Sequence, residues 1–448
     1  MTGSAAPAVL PAVGWRFPSA IESRLRNGIR VLAYHCPGQY VVNASLLFDL
    51  PLSAEPRRTE GVAGLVARCL SRGAGGLSAD DFSDALAAAG AEMDATAASD
   101  GFTVRLSVPE SHLARGLDLM AMAVTRPTYA EREFEQEKRL RLQEIEQAKA
   151  YPSAVTVERL NAALFGDSRA ARPVGGATAT VDAVTRDDVM AYASAHLRPD
   201  HAVLILAGDF EAADPHAFAE RAFSAWQSGG GDVVVPQASP VSTNPRLLLV
   251  DWPDTPQATL RLAAEGITRG DPKWPALFVA NYAVGGNFGS RLNTVLREEK
   301  GFTYGVSSTL DSDRQIGLLG VAANVRSDAT AEAVGDILSI LRDARGTLGE
   351  EETATGIRAV TDSAALSYER AETIVARVEM LVSQGLPLDH VDTNLRRIRD
   401  VTAADANAAY QSVVRPETFT IVVAGAASML REPLESLGHA PVEVLPRP

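Results

Sequence analysis

One phrase occurs twice in this chain, and its spacing constrains the fold more than anything else in the sequence. Residues 198–209 read Arg-Pro-Asp-His-Ala-Val-Leu-Ile-Leu-Ala-Gly-Asp, and residues 415–426 read Arg-Pro-Glu-Thr-Phe-Thr-Ile-Val-Val-Ala-Gly-Ala. Arg198 and Arg415, Pro199 and Pro416, and Gly208 and Gly425 all stand 217 residues apart. Each copy is a proline-punctuated entry to a continuous apolar strand that closes on glycine. One spacing shared by a whole phrase points to a tandem duplication. At 448 residues the chain is also too long for one ordinary core. The expected domains are 1–226 and 246–448, joined by a Gly/Pro/Ser-rich linker over 227–245. Each half alternates strand pairs with helices, which favours an α+β fold over a doubly wound parallel sheet.

Within the first half, residues 27–34 and 40–50 have strand composition and read as a hairpin. Val62, Leu65, Val66, Cys69 and Leu70 share one face of a helix expected over 59–70, with Gly73 after its end. Ser78 to Asp81 forms a capping box for a second helix, and Phe102, Val104, Leu106 and Val108 alternate as a strand stopped by Pro109. Further helices are expected over 110–124, 130–149 and 185–196. In the second half, Gly285 to Tyr304 reads as a glycine turn, a short helix, a stop at Gly301 and the start of a strand. Leu292, Val295 and Leu296 give that helix an apolar stripe. Arg297 leaves its last turn and Tyr304 opens the strand, so two rigid elements carry a guanidinium and a phenol within seven residues.

A formal net charge of −14 argues against a nucleic-acid binder and against anionic membranes. No apolar run is long enough to span a bilayer, and prolines interrupt the short apolar part of an N-terminus that lacks a basic region. The two cysteines, Cys36 and Cys69, sit in apolar contexts and suit a reducing cytoplasm. Arginine outnumbers lysine and alanine is abundant, as in GC-rich bacterial genomes. The chain has no Gly-x-Ser-x-Gly elbow, phosphate loop or Cys–His arrangement for another hydrolytic chemistry.

Four segments together resemble the insulinase/pitrilysin family of metallopeptidases, in its short-chain, processing-peptidase-like branch, over nearly the whole length. They are the Glu60-Gly-Val-Ala-Gly helix start, the Glu137–Glu146 helix, the repeated Arg-Pro…Ala-Gly strand and the Ser290-Arg-Leu…Arg-Glu-Glu-Lys-Gly-Phe-Thr-Tyr304 segment. The resemblance implies two homologous metallopeptidase-type domains, each a mainly antiparallel sheet with packed helices, forming half of a clam-like chamber. Active members carry His-x-x-Glu-His on the first of these helices, with a distal glutamate completing a zinc site. Here the matching positions are Gly64, Ala67 and Arg68, with Glu144 where the distal glutamate belongs. Two imidazoles have become no ligand and a cation, and the general base has become a methyl group. No metal is therefore expected in this chain, and Arg68 is a candidate ion-pair partner for the stranded Glu144.

The departure is confined to the metal half of the mechanism. Family members also use an arginine and a tyrosine of the C-terminal half to hold the scissile segment, and Arg297 and Tyr304 match that pair. Both are donors suited to backbone carbonyls and to an oxyanion. The resemblance thus implies a subunit that is inactive alone, with zinc and His-x-x-Glu-His supplied by a homologous partner in a heterodimer acting on peptides or unfolded segments. Such substrates can add as a strand to a sheet edge, and residues 91–100 lie where relatives present one. The alternative is a structural or peptide-binding pseudo-peptidase with no part in catalysis.

Overall fold

A computed structural model describes residues 14–211, 213–227, 239–253 and 255–448. Most of the expected linker, 228–238, lies outside these residues. The described strands form two six-stranded sheets. The first contains β1 (Ile21–Arg24), β2 (Arg30–His35), β3 (Val41–Phe48), β4 (Glu92–Ala98), β5 (Gly101–Pro109) and β6 (Ala202–Gly208), in the order β1-β2-β6-β3-β5-β4. The second contains β7 (Arg246–Asp251), β8 (Gln257–Glu265), β9 (Thr303–Ser312), β10 (Gly317–Arg326), β11 (Thr420–Gly425) and β12 (Val442–Leu445), in the order β12-β7-β11-β8-β10-β9. With helices packed against both sheets, this is the α+β fold that the pattern of strand pairs and helices favoured.

The repeated phrase occupies the equivalent place in each sheet. β6 runs parallel to β2 and antiparallel to β3, while β11 runs parallel to β7 and antiparallel to β8. This overturns the hairpin expected between residues 27–34 and 40–50. Leu204, Ile205, Leu206 and Ala207 are fully buried. A strand buried on both faces needs a hydrogen-bonded neighbour on each side, and it finds them by entering between β2 and β3. The 217-residue spacing extends well beyond the phrase. The helices Leu113–Thr125 and Thr330–Asp343 start that far apart, as do Arg186–His196 and Ala403–Val413. The outermost places differ, because β1 is antiparallel to β2 whereas β12 is parallel to β7.

Each sheet packs one face on helices of its own half. The first core gathers Val42, Leu46, Val104 and Leu106 against Leu65, Val66, Leu117 and Met120. The second gathers Leu260, Leu262 and Val321 against Leu292, Leu296, Ile337 and Tyr410. The opposite faces are covered by exchange. Pro152–Phe165, from the first half, lays Val155, Leu160 and Leu164 on Leu248, Val250, Val422 and Ala424 of the second sheet. Ala371–Ser383, its equivalent in the second half, lays Ile374, Val375, Val378 and Leu381 on Leu32, Tyr34, Ile205 and Ala207 of the first. At about 2 kcal/mol per buried aliphatic side chain, either contact is a major part of the fold. Polar ties reinforce the exchange. Arg105 on β5 forks onto Glu379 at 2.8 and 2.7 Å, and Arg314 reaches Asp49 at 3.0 Å. Cys36 and Cys69 are free and buried.

Candidate functional site

The first half presents the helix Val62–Leu70, whose start is held by side chains far along the chain. The Glu55 carboxylate accepts from the N–H groups of Gly61 and Ala63, each at 3.0 Å, and also pairs with Arg169 at 2.8 Å. Burial raises the Glu55 pKa, and Arg169 and the two N–H groups only partly offset it. Glu60 pairs with Arg172 at 2.6 Å. These contacts fix the helix axis and so the direction in which Gly64, Ala67 and Arg68 leave it.

Arg68 points at the helix Glu131–Ala148. Its Nε donates to Glu137 Oε2 at 3.0 Å, while Nη1 and Nη2 donate to the two Glu144 oxygens at 3.2 and 3.0 Å. Arg72 Nε lies 2.8 Å from Glu137 Oε1, an ion pair out of line for a hydrogen bond, and Arg141 donates to Glu144 at 3.3 Å. The pair sought between Arg68 and Glu144 is therefore made, and it is one arm of a wider bridge. Glu137 is almost wholly buried and was not anticipated. It stands two helical turns before Glu144, on the same face, which is the signal that could have found it.

A zinc ion does not fit this place. Gly64 and Ala67 offer no donor atom, and the Arg68 guanidinium occupies both carboxylates. Among the described residues no three His, Cys, Asp or Glu side chains are placed to share a metal ion.

The second half carries the other expected pair. The helix runs as one ordinary turn, Arg291–Asn293, then widens over Thr294–Glu299, with Lys300 N–H bonding back to Val295. Gly301 ends it with φ +61°, in the left-handed region that favours glycine. The preceding Gly285 permits close packing, because a Cβ there would lie 2.5 Å from Ser308 Cβ and 2.7 Å from Leu292 Cδ1. Two buried amides then lock helix to strand. Asn293 accepts from Val306 N–H at 3.1 Å and donates to its carbonyl at 2.8 Å, and Asn281 donates to Ser308 O at 3.0 Å. Asparagine is a poor helix former, so two of them in an otherwise apolar helical stretch were the available sign of this bracket.

Tyr304 is 88 % exposed. The register of β9 against β10 shifts between Thr303 and Val306, and this bulge turns both Tyr304 and Gly305 outward. Arg297 is less free. Its guanidinium lies 3.6 Å from the centre of the exposed Phe288 ring and donates to Glu298 at 2.5 Å. No hydrogen bond or ring contact joins Arg297 to Tyr304 among the described residues.

The two outermost strands of the long hairpins differ in availability. The edge of β9 is occupied by Asn293, Asn281 and the Gln384 side chain, which donates to Ser312 O at 2.6 Å. β4 bonds only to β5, and among the described residues no hydrogen bond reaches its outer backbone. β4 lies within the 91–100 segment expected to offer an edge. A cavity of about 850 Å³ lies between the halves, lined by Asp49, Asp100, Phe165, Asp313, Arg314 and Ala148, the last one turn beyond Glu144.

A duplicated α+β chain whose Val62–Leu70 helix is bridged through Arg68 to Glu137 and Glu144, with no donor set for a metal among the described residues, looks non-catalytic. The comparisons agree: residues 30–178 match the family described as "Insulinase (Peptidase family M16)", and residues 183–360 match "Peptidase M16 inactive domain". The chain belongs to this insulinase/pitrilysin family. It is 26 % identical over 410 residues to an uncharacterized zinc protease of Streptomyces coelicolor, covering 88 % of this chain and 87 % of that one. It is 27 % identical over 394 residues to one from Mycobacterium tuberculosis, covering 86 % and 89 %. Its fold resembles a peptidase M16 inactive domain from Pseudomonas fluorescens (TM-score 0.84, 22 % identity, 91 % and 98 % covered). It also resembles a protease from Helicobacter pylori (TM-score 0.83, 15 % identity, 91 % and 100 % covered). Among the described residues no helix is long and apolar enough to cross a membrane.

Proposed function

We propose that this chain is the metal-free subunit of a heterodimeric zinc endopeptidase. A homologous partner would bring zinc and His-x-x-Glu-His, and this chain would bring Arg297 and Tyr304 to grip the peptide backbone and support the oxyanion. The observation that carries the reading is a contrast within one chain. The position where the resemblance expects a metal carries an arginine salt bridge, while Tyr304 stands exposed on a bulge. A tyrosine kept for packing alone would be buried rather than 88 % exposed. No metal is assigned to this chain, and a cytoplasmic setting is part of the same proposal.

A second reading has its own support. Arg297 already has an aromatic ring and a carboxylate as partners, which suits a peptide-binding or structural pseudo-peptidase. One titration separates the two. A zinc-bearing homologue is mixed with increasing amounts of this chain, and cleavage of a quenched fluorescent peptide is followed. Activity that appears on mixing, saturates near one-to-one and collapses in Arg297→Ala/Tyr304→Phe supports the shared active site. Full activity with the double variant would make the chain a scaffold, and no gain on mixing would remove the heterodimer altogether.

A further inference from the structure

Of the described phenylalanines only Phe288 is exposed, at 65 %, and it packs into neither half's core. Its backbone is nevertheless tied down on both sides. The Asn287 side chain donates to Tyr282 O at 2.6 Å and accepts from Gly289 N–H at 2.7 Å, so it closes a turn around Phe288. The Asn287 carbonyl accepts from Ser290 N–H at 3.2 Å and from the buried Asn293 amide at 3.0 Å. Asn293 is the same residue that holds Val306 on β9. The loop is thus anchored where it presents the ring, while the ring itself stands out in solvent.

What the ring touches is Arg297. The guanidinium carbon lies 3.6 Å from the ring centre. At that distance there is no room for an N–H to point into the ring, so the two groups meet face to face. A guanidinium stacked in this way keeps its N–H bonds in its own plane, directed past the edge of the ring. One of them goes to Glu298 at 2.5 Å, and no other hydrogen bond from Arg297 occurs among the described residues. Glu298 is exposed and adjacent in sequence, which makes it a weak, salt-screened hold. Stacking fixes the direction of a long side chain without consuming the donors that would meet a peptide. Carboxylates along both edges would have consumed them.

We propose that Phe288 is the positioning residue for Arg297: it holds the guanidinium in one orientation, with its donors open to a peptide carbonyl. This role rests on the shared active site proposed above and adds to it the group that prepares its arginine. An arginine otherwise loses rotamer freedom as it binds, and one already laid on a ring loses less. Only the face of the ring is needed, so Phe288→Tyr and Phe288→Trp keep the platform and Phe288→Leu removes it.

The test uses the full chain with a zinc-bearing homologue and the quenched peptide. Phe288→Leu should lower kcat/KM about fivefold at an unchanged saturation point, while Phe288→Tyr and Phe288→Trp retain activity. In an Arg297→Ala background Phe288→Leu should have no further effect, because its action passes through Arg297. Met429→Ala, which removes another exposed apolar side chain, should change nothing. Full activity in Phe288→Leu, or a loss that persists in Arg297→Ala or is shared by Phe288→Tyr, overturns the positioning role. Urea unfolding of this chain alone separates that failure from failure of the heterodimer. With no partner present, Phe288→Leu and Arg297→Ala should be coupled by about two- to fivefold in the unfolding constant. Absence of coupling overturns the platform whatever the mixture does. Should wild type give no activity on mixing, the heterodimer falls, and the urea cycle still decides whether Phe288 holds Arg297.

Discussion

Arg68 keeps Glu137 and Glu144, two carboxylates of one helix, from repelling each other. Its side chain is 29 % exposed and that of Glu137 is 3 % exposed, so the Arg68–Glu137 contact is shielded from water. Arg68→Ala leaves Glu137 with only the misaligned Arg72 and leaves Glu144 with Arg141. The expected cost is about 1–3 kcal/mol, less than for a wholly abandoned buried charge because Arg72 remains. Adding Glu137→Gln to Arg68→Ala should recover part of that loss. Urea unfolding of the four members of the cycle measures it. Strict additivity would mean that Arg68 and Glu137 are not coupled.

At the scale of elements, two helices carry matched caps. Thr185 and Asp188 box the start of Arg186–His196, and Thr402 and Asp405 box the start of Ala403–Val413, 217 residues on. Both aspartates are held below the ordinary value of 3.8, by the threonine hydroxyl first and the threonine N–H second. A carboxylate with a lowered folded pKa contributes stability that is complete above its unfolded value and is lost as pH falls through the folded one. The caps therefore support the fold at neutral pH and fail below 3.8. Asp188→Asn/Asp405→Asn should lower stability at about pH 6 and narrow the gap to wild type at about pH 3. An unchanged gap across that range would show that the boxes add nothing through charge.

The elements also show where a sequence speaks and where it is silent. Helix limits such as Ser78 before Ala79–Ala88, whose hydroxyl accepts from Asp81 N–H at 3.1 Å, are local chemistry and were readable. So was the partnership of Arg68 and Glu144, because a resemblance had set both in one place. The hairpin between β2 and β3 was misread because β6 enters from about 160 residues away, and proximity in sequence says nothing of a distant competitor. The Asn293 and Asn281 bracket was signalled only as two asparagines out of place in a helix, because an amide declares its strand partner only after the helix has been docked. Phe288 reads as a loop aromatic until Arg297 is found above it.

For the whole molecule, the exchanged helices make two repeats into one folding unit. Without Ala371–Ser383 the first sheet exposes Leu32, Tyr34, Ile205 and Ala207, and without Pro152–Phe165 the second exposes Leu248, Val250, Val422 and Ala424. The full chain should melt in a single calorimetric transition. Residues 14–227 and 239–448 produced separately should aggregate or bind hydrophobic dyes, and should become soluble when produced together. A half that unfolds cooperatively alone would show that its own core suffices.

The exchange also bears on ancestry. A chain of half this length, built on the same plan, could cover both faces of its sheet only by trading helices with a second copy. Before duplication such a protein would have been folded only above the concentration at which two molecules meet. Fusion removed that dependence by keeping the second copy permanently at hand. It also freed each copy to diverge, so that the first now carries the Arg68 bridge and the second an exposed tyrosine.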